Sequence, residues 1–182
     1  MTGRKFNPSL LAGVLALATG YPGAAASAQS FGDSEALRAA LDDEYRAEAT
    51  YAAVIAAFGE VRPFINIIEA ERRHAAQAKA EMDRLGISYA ATNSYLGTLT
   101  APASVLAACE QGVAAEIENI ALYDRILPTI QDPQVRDTLT RLQWASRERH
   151  LPAFKRCIDR GGEMGRGQGR GGGRGAGRKN LN

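Results

Sequence analysis

The residues best suited to chemistry sit in two short, related strings. In EAERRH, residues 69–74, Glu71 stands three positions before His74. In ASRERH, residues 145–150, the position three before His150 is Arg147. One helical turn separates Glu71 from His74, so both side chains reach the same side of one helix. A carboxylate and an imidazole so placed are donors for iron, manganese or zinc. A lone Glu-x-x-His is common by chance, but two further strings strengthen it. EYRAEATY (44–51) and EIENIALY (116–123) each place a Glu seven positions before a Tyr. ERRHAAQAK (71–79) also lies over RERHLPAFK (147–155), with the Arg-His pair and the following Lys in register. The chain therefore reads as a duplicated helical hairpin, which gives a four-helix bundle.

Four helices must position these residues. The first is predicted from Asp33 or Ser34, both good N-caps, to Gly59. Leu37, Leu41, Glu44, Glu48, Tyr51, Ile55 and Phe58 form its stripe at spacings of 3 and 4. Pro63 suits the first turn of the second helix, which carries Phe64, Ile67, Glu71, His74 and Ala78 and ends at Gly86. ISYAATNSYLGTLTA has no helical stripe and is long for a tight turn, so it reads as a crossover loop. The third helix is predicted from about Pro102 to Pro128, with Leu106, Cys109, Val113, Glu116, Ile120, Tyr123 and Leu127 as its stripe. Asp132-Pro133 opens the fourth, whose stripe is Val135, Leu139, Leu142, Ser146, His150, Ala153 and Cys157. Pro152 cannot donate to the carbonyl of Glu148, so a bend is expected near His150.

Stripes that should be apolar thus hold Glu44, Glu48, Glu71, His74, Glu116 and His150. Burying a carboxylate without compensation costs several kcal/mol, roughly. Bound cations would supply the compensation. This pattern resembles the ferritin-like superfamily, and within it the rubrerythrin-type domains and a related bacterial exported family. The resemblance covers about residues 34–160. It implies an antiparallel four-helix bundle of ferritin-like type, two duplicated hairpins joined by the crossover loop. The shared motif is one Glu from each of two helices plus Glu-x-x-His from each of the other two. Carried over, Glu44 and Glu116 are the single-Glu ligands, Glu71 and His74 one pair, and His150 the second histidine. Tyr51 and Tyr123 stand where rubrerythrin-like domains place tyrosines, either near bound oxygen species or as core residues with satisfied hydroxyls. The implied cofactor is iron, two ions or one, with manganese or zinc as alternatives. The implied activity is oxidase or peroxide-reducing, and a homodimer is the implied assembly. No Cys-x-x-Cys pairs are present, so a rubredoxin-like electron-transfer domain is missing.

Arg147 departs from the motif. Arginine stays protonated, so an inward Arg147 would replace a negative charge by a positive one. Two repairs are conceivable. Glu48, on the same stripe as Glu44, could replace the lost ligand or pair with Arg147. Alternatively, the Pro152 bend could turn Glu148 inward. A di-metal site, a single metal and a metal-free relic held by Arg–Glu pairs all stay open.

Cys109 lies seven residues before Glu116, and Cys157 seven after His150. If Glu116 and His150 share a metal on antiparallel helices, both cysteines sit about 10.5 Å from it, on the same side, and a disulfide is expected. Two small buried hydrophobes are the alternative.

Residues 1–28 read as a signal peptide: Arg4 and Lys5, then LLAGVLALATG, then Ala26-Ser27-Ala28. The apolar run is shorter than the roughly 20 residues needed to span a bilayer. Export to the periplasm or medium is the expected localisation. The bundle is expected over 29–160 and a Gly/Arg-rich tail over 161–182. Residues 29–159 hold 14 basic and 19 acidic residues, whereas six basic residues and one acid follow. Arg166, Arg170, Arg174 and Arg178 recur every four residues among glycines, a composition that does not fold alone. Export argues against nucleic acid as the tail's partner and favours an anionic surface or polymer. A non-enzymatic, metal-free bundle that binds such a surface is the competing reading.

Overall fold

The computed structural model describes residues 32–163. The expected signal peptide and nearly all of the basic tail lie outside the described residues. The described chain is all-helical: α1 (Asp33–Phe58), α2 (Phe64–Arg84), α3 (Val105–Ile126), α4 (Pro133–Ala145), a π turn (Ser146–His150) and α5 (Leu151–Asp159). The last three run on as one helical segment, so four long segments make a helical bundle. None of these helices is long and apolar enough to cross a membrane.

Local chemistry sets the helix ends, sometimes a residue or two from expectation. Gly32, rather than Asp33 or Ser34, is the N-cap of α1. Asp33 instead accepts from the backbone N–H groups of Gln131 and Asp132, at 2.7 and 2.9 Å, tying the start of α1 to the start of α4. Gly59 stops α1 with φ 79°, which favours glycine. Pro63 precedes α2 rather than entering it. Ser104, not the region of Pro102, opens α3, its hydroxyl accepting from the Ala107 N–H. Asp132 caps α4 through the N–H groups of Gln134 and Val135, with Pro133 following.

The bend expected at Pro152 takes the form of a widened turn. The Leu151 N–H bonds to the Ser146 carbonyl, five residues back. This π geometry accommodates one extra residue in the turn.

Two apolar clusters hold the bundle. Leu37, Leu41, Met82, Ile126 and Leu139 belong to one. Tyr51, Phe64, Ile68, Phe154 and the half-cystines Cys109 and Cys157 belong to the other. The Tyr51, Phe64 and Phe154 rings pack at centroid distances of 5.4 to 5.7 Å. Phe154 lies so close over α3 that a Cβ at Gly112 would stand 2.7 Å from its ring. The Cys109–Cys157 disulfide joins α3 to α5 with Cα atoms 6.2 Å apart.

The buried stripe of α3 differs from the expected one. It is Ala108, Cys109, Gly112, Glu116, Asn119, Tyr123 and Ile126, with Leu106, Val113 and Ile120 only half-buried on its flank. A small residue under Phe154 and a polar one beside α1 outrank the larger apolar neighbours. The loop from Leu85 to Ser104 is fastened along α1. Tyr45 donates to the Ala90 carbonyl at 2.9 Å, Asn93 to the Tyr45 carbonyl at 2.7 Å, and Tyr95 to Asp42 at 2.7 Å.

Candidate metal centre

Glu44, Glu71, His74, Glu116 and His150 are all buried, between 2 and 8 % exposed. The helices bring them together in an ordered way. Glu71 sits between the two histidines. Its Oε2 is 3.0 Å from His74 Nδ1, and its Oε1 is 3.2 Å from His150 Nδ1. Each imidazole faces a second carboxylate. His74 Nδ1 is 3.4 Å from Glu44 Oε2, and His150 Nδ1 is 3.5 Å from Glu116 Oε1. The rings stack at 5.5 Å and 26°. Two half-sites thus share one carboxylate. Glu71, His74 and His150 can place one donor atom each within 4.8 Å of one another, close enough to hold a metal ion.

The tyrosines cross between the halves. Tyr51, on α1, donates to Glu116 at 3.0 Å, and Tyr123, on α3, donates to Glu44 at 3.1 Å. Each single Glu is oriented by the other half's tyrosine. Tyr123 takes Oε1 of Glu44 and leaves Oε2 to His74, whereas Tyr51 bonds the same Oε1 of Glu116 that faces His150.

Electrostatics shows the strain of five such groups in one place. Burial pulls both imidazoles down, but the facing carboxylates outweigh it. Glu44 and Glu71 hold His74 up at about 9, and Glu116 and Glu71 hold His150 up at about 10. Burial alone would raise Glu71, yet the two histidines hold it at about 2. Burial and the charge of Glu71 push Glu44 well above the usual carboxylate range. Glu116 is raised by burial, with Glu71 adding to it. Without metal, the cluster stores protons on its imidazoles. His150 Nδ1 nevertheless makes no aligned hydrogen bond among the described residues. A buried imidazole nitrogen between two carboxylate oxygens, with no aligned hydrogen bond, is placed as a metal ligand would be.

Arg147 does not enter the site. Its guanidinium is exposed and pairs with Asp124 on α3 at 3.2 Å. The π turn is the reason. In the wider turn, the residue four before His150, rather than three, shares its face, and that residue is Ser146. Ser146 is 4 % exposed. Neither repair considered from the sequence is adopted. Glu48 lies at the α1–α2 edge, bound by Arg72 at 2.9 Å and Asn93 at 2.9 Å, away from Arg147. Glu148 is exposed.

A cavity of about 300 Å³ opens onto the cluster between α1 and α3. Asp43, Glu44, Glu71, Glu116, Asn119 and Ser146 are among its lining residues. Asp43 and Asn119 were not evident from the stripe spacing. Asn119 donates its amide N–H to Asp43. Burial, only partly offset by that bond, raises Asp43 to about 6, and Glu116 and Glu71 add to the effect. The signal in the sequence was the Asp43-Glu44 doublet, whose first member sits one step off the stripe.

No protein-family model matches this sequence. No curated protein matches it. The fold is similar to the crystal structure of a hypothetical protein from Methanococcus jannaschii DSM 2661, with a TM-score of 0.63 over 72% of this chain and 82% of that one. The two are 19% identical, so the likeness speaks for the fold alone.

Proposed function

We propose that this protein is a metal-binding bundle of ferritin-like type, with antiparallel duplicated hairpins, that holds iron through Glu44, Glu71, His74, Glu116 and His150. One observation carries the reading: Glu71 turns one oxygen to each of two buried imidazoles, and each imidazole faces a further carboxylate. Carboxylate oxygens with imidazole nitrogens also suit manganese and zinc, and the ion present decides whether the site is redox-active. Bound iron would supply one-electron chemistry toward dioxygen or peroxide. The chain's own residues do the rest. Tyr51 and Tyr123 fix the terminal carboxylates, the two apolar clusters exclude bulk water, and the cavity beside Ser146 admits a small reactant. The reaction class proposed is therefore oxidase or peroxide-reducing. A disulfide persists in an oxidising compartment, which supports the export read from residues 1–28.

Metal content tests the reading. The full chain is loaded with Fe(II) without oxygen, desalted and analysed for iron, then mixed with peroxide while peroxide loss is followed. Retained iron with peroxide loss is expected. Glu71→Ala combined with His74→Ala should retain none. Equal iron in that double variant would remove the proposed site.

A further inference from the structure

The π turn leaves the second Glu-x-x-His position without a carboxylate, and Ser146 alone stands in its place. A carboxylate from another helix lines the same cavity. Asp43 projects from α1 into the space shared with Glu44, Glu71, Glu116 and Ser146. Asn119, on α3, holds it through an amide N–H. Asn119 is itself 6 % exposed, and its Oδ1 has no hydrogen-bond partner among the described residues. Leaving a buried amide oxygen unpaired costs about 1–3 kcal/mol. Asn119 lines a cavity that Asp43, Glu44, Glu71, Glu116 and Glu118 make acidic, with Arg46 the cation among the lining residues. Asp43 thus brings a hard carboxylate donor, of the kind divalent cations take, to the space it shares with Glu44, Glu71 and Glu116.

We propose that Asp43 is the fourth carboxylate of the metal centre, supplied from α1 in place of the one that position 147 lacks, with Asn119 positioning it. The proposal rests on the metal reading above and adds to it a residue and a count. With Asp43 included, four carboxylates balance the charge of two divalent ions, and the outward Arg147 subtracts nothing. The acid missing from one helix is thus replaced from a helix that already bears Glu44. The Asp43–Asn119 bond would otherwise be only a clasp between α1 and α3, and the test separates the two roles.

The full chain is titrated with Co(II), reading bound metal by equilibrium dialysis and the visible ligand-field bands. Wild type should take two ions per chain. Asp43→Asn, nearly isosteric, should take one, with the second weakened at least about tenfold. Glu48→Gln, on the same helix but outside the cavity, should match wild type. Two ions in Asp43→Asn at unchanged affinity would overturn the proposal while leaving the metal reading intact. One ion in wild type would do the same. No ion in wild type would overturn both. If Asp43→Asn loses its helical circular dichroism, Asn119→Ala decides: weaker binding of the second ion alone is expected, and unchanged binding of both overturns the proposal.

Discussion

α2 and the α4–α5 segment carry the same Arg-His pair with a Lys five positions on, yet they present it differently. In α2, regular turns set Glu71 and His74 side by side. In the later segment, one residue more is wound into the turn before His150, so Ser146 faces inward and Arg147 faces Asp124. The histidines arrive at matching places, 5.5 Å apart. What the comparison teaches is that two copies of one sequence pattern can present different residues to the bundle interior. An arginine turned into the buried Glu/His cluster would carry a desolvation cost, but a local change of helical pitch turns it to solvent. The second half is also the one with the disulfide, close beyond the turn that departs from regularity.

Breaking the element the halves share should have the largest effect. Glu71→Ala leaves two buried imidazoles without their common partner. Removing one side of a buried charged pair costs about 3–5 kcal/mol. Urea unfolding of the metal-free protein at neutral pH should show a loss of that size.

Removing what only the second half has should cost somewhat less. The disulfide spans 48 residues of sequence, and loop-entropy arguments give about 4 kcal/mol for a ring of that size, with typical values of about 2–4. Cys109→Ser with Cys157→Ser should lower the urea midpoint accordingly. Iron uptake at low temperature should persist, because neither cysteine belongs to the site.

A pH series comes next. His74 and His150 have folded values of about 9 and 10, above the ordinary 6.5. The folded state then binds more protons than the unfolded one between those limits, so stability falls as pH rises. The metal-free protein should be most helped by its histidines below about pH 6.5 and should lose that help progressively up to about pH 9–10. Glu44, also raised, acts in the same direction. Metal must displace these protons, so metal affinity should rise with pH over the same window. A thermal-melt series with and without Co(II) checks both signs.

The smallest effect is expected at the residue that looks most disruptive on paper. Arg147→Glu should leave metal stoichiometry unchanged and cost at most about 1 kcal/mol, since it exchanges an exposed pair with Asp124 for a repulsion. Ser146→Glu is the sharper partner experiment, because its carboxylate would enter the cavity and change metal affinity. If Arg147→Glu alters metal binding and Ser146→Glu does not, the assignment of faces is wrong.

The burial of one Glu/His cluster was legible in the sequence, and its surroundings much less so. Glu44, Glu71, His74, Glu116 and His150 were legible because charged residues on an apolar stripe are conspicuous. The stripe of the fourth helix placed Ser146 inside, while the repeat placed Arg147 there, and nothing local to the chain decides between them. That choice depends on how the turn winds around Pro152 against α3. Apolar size marks Val113 and Ile120 in the sequence, yet the buried positions are Gly112 and Asn119. Phe154 needs the glycine, and Asp43 needs the asparagine, and both needs arise only when helices meet. Asp43 itself lies one step off the stripe, and periodicity locates the middle of a face but not its width.

The disulfide also divides the molecule by connectivity. Glu116, Tyr123, Ser146 and His150 all lie inside the covalent ring closed by Cys109 and Cys157. Glu44, Glu71 and His74 lie on open chain. A protease that cuts once within the ring leaves two pieces still joined, with this half of the site on a single molecule. One cut in the loop from Leu85 to Ser104 instead severs α1 and α2 completely. From then on, Glu44, Glu71 and His74 belong to a separate peptide that stays only as long as its packing holds.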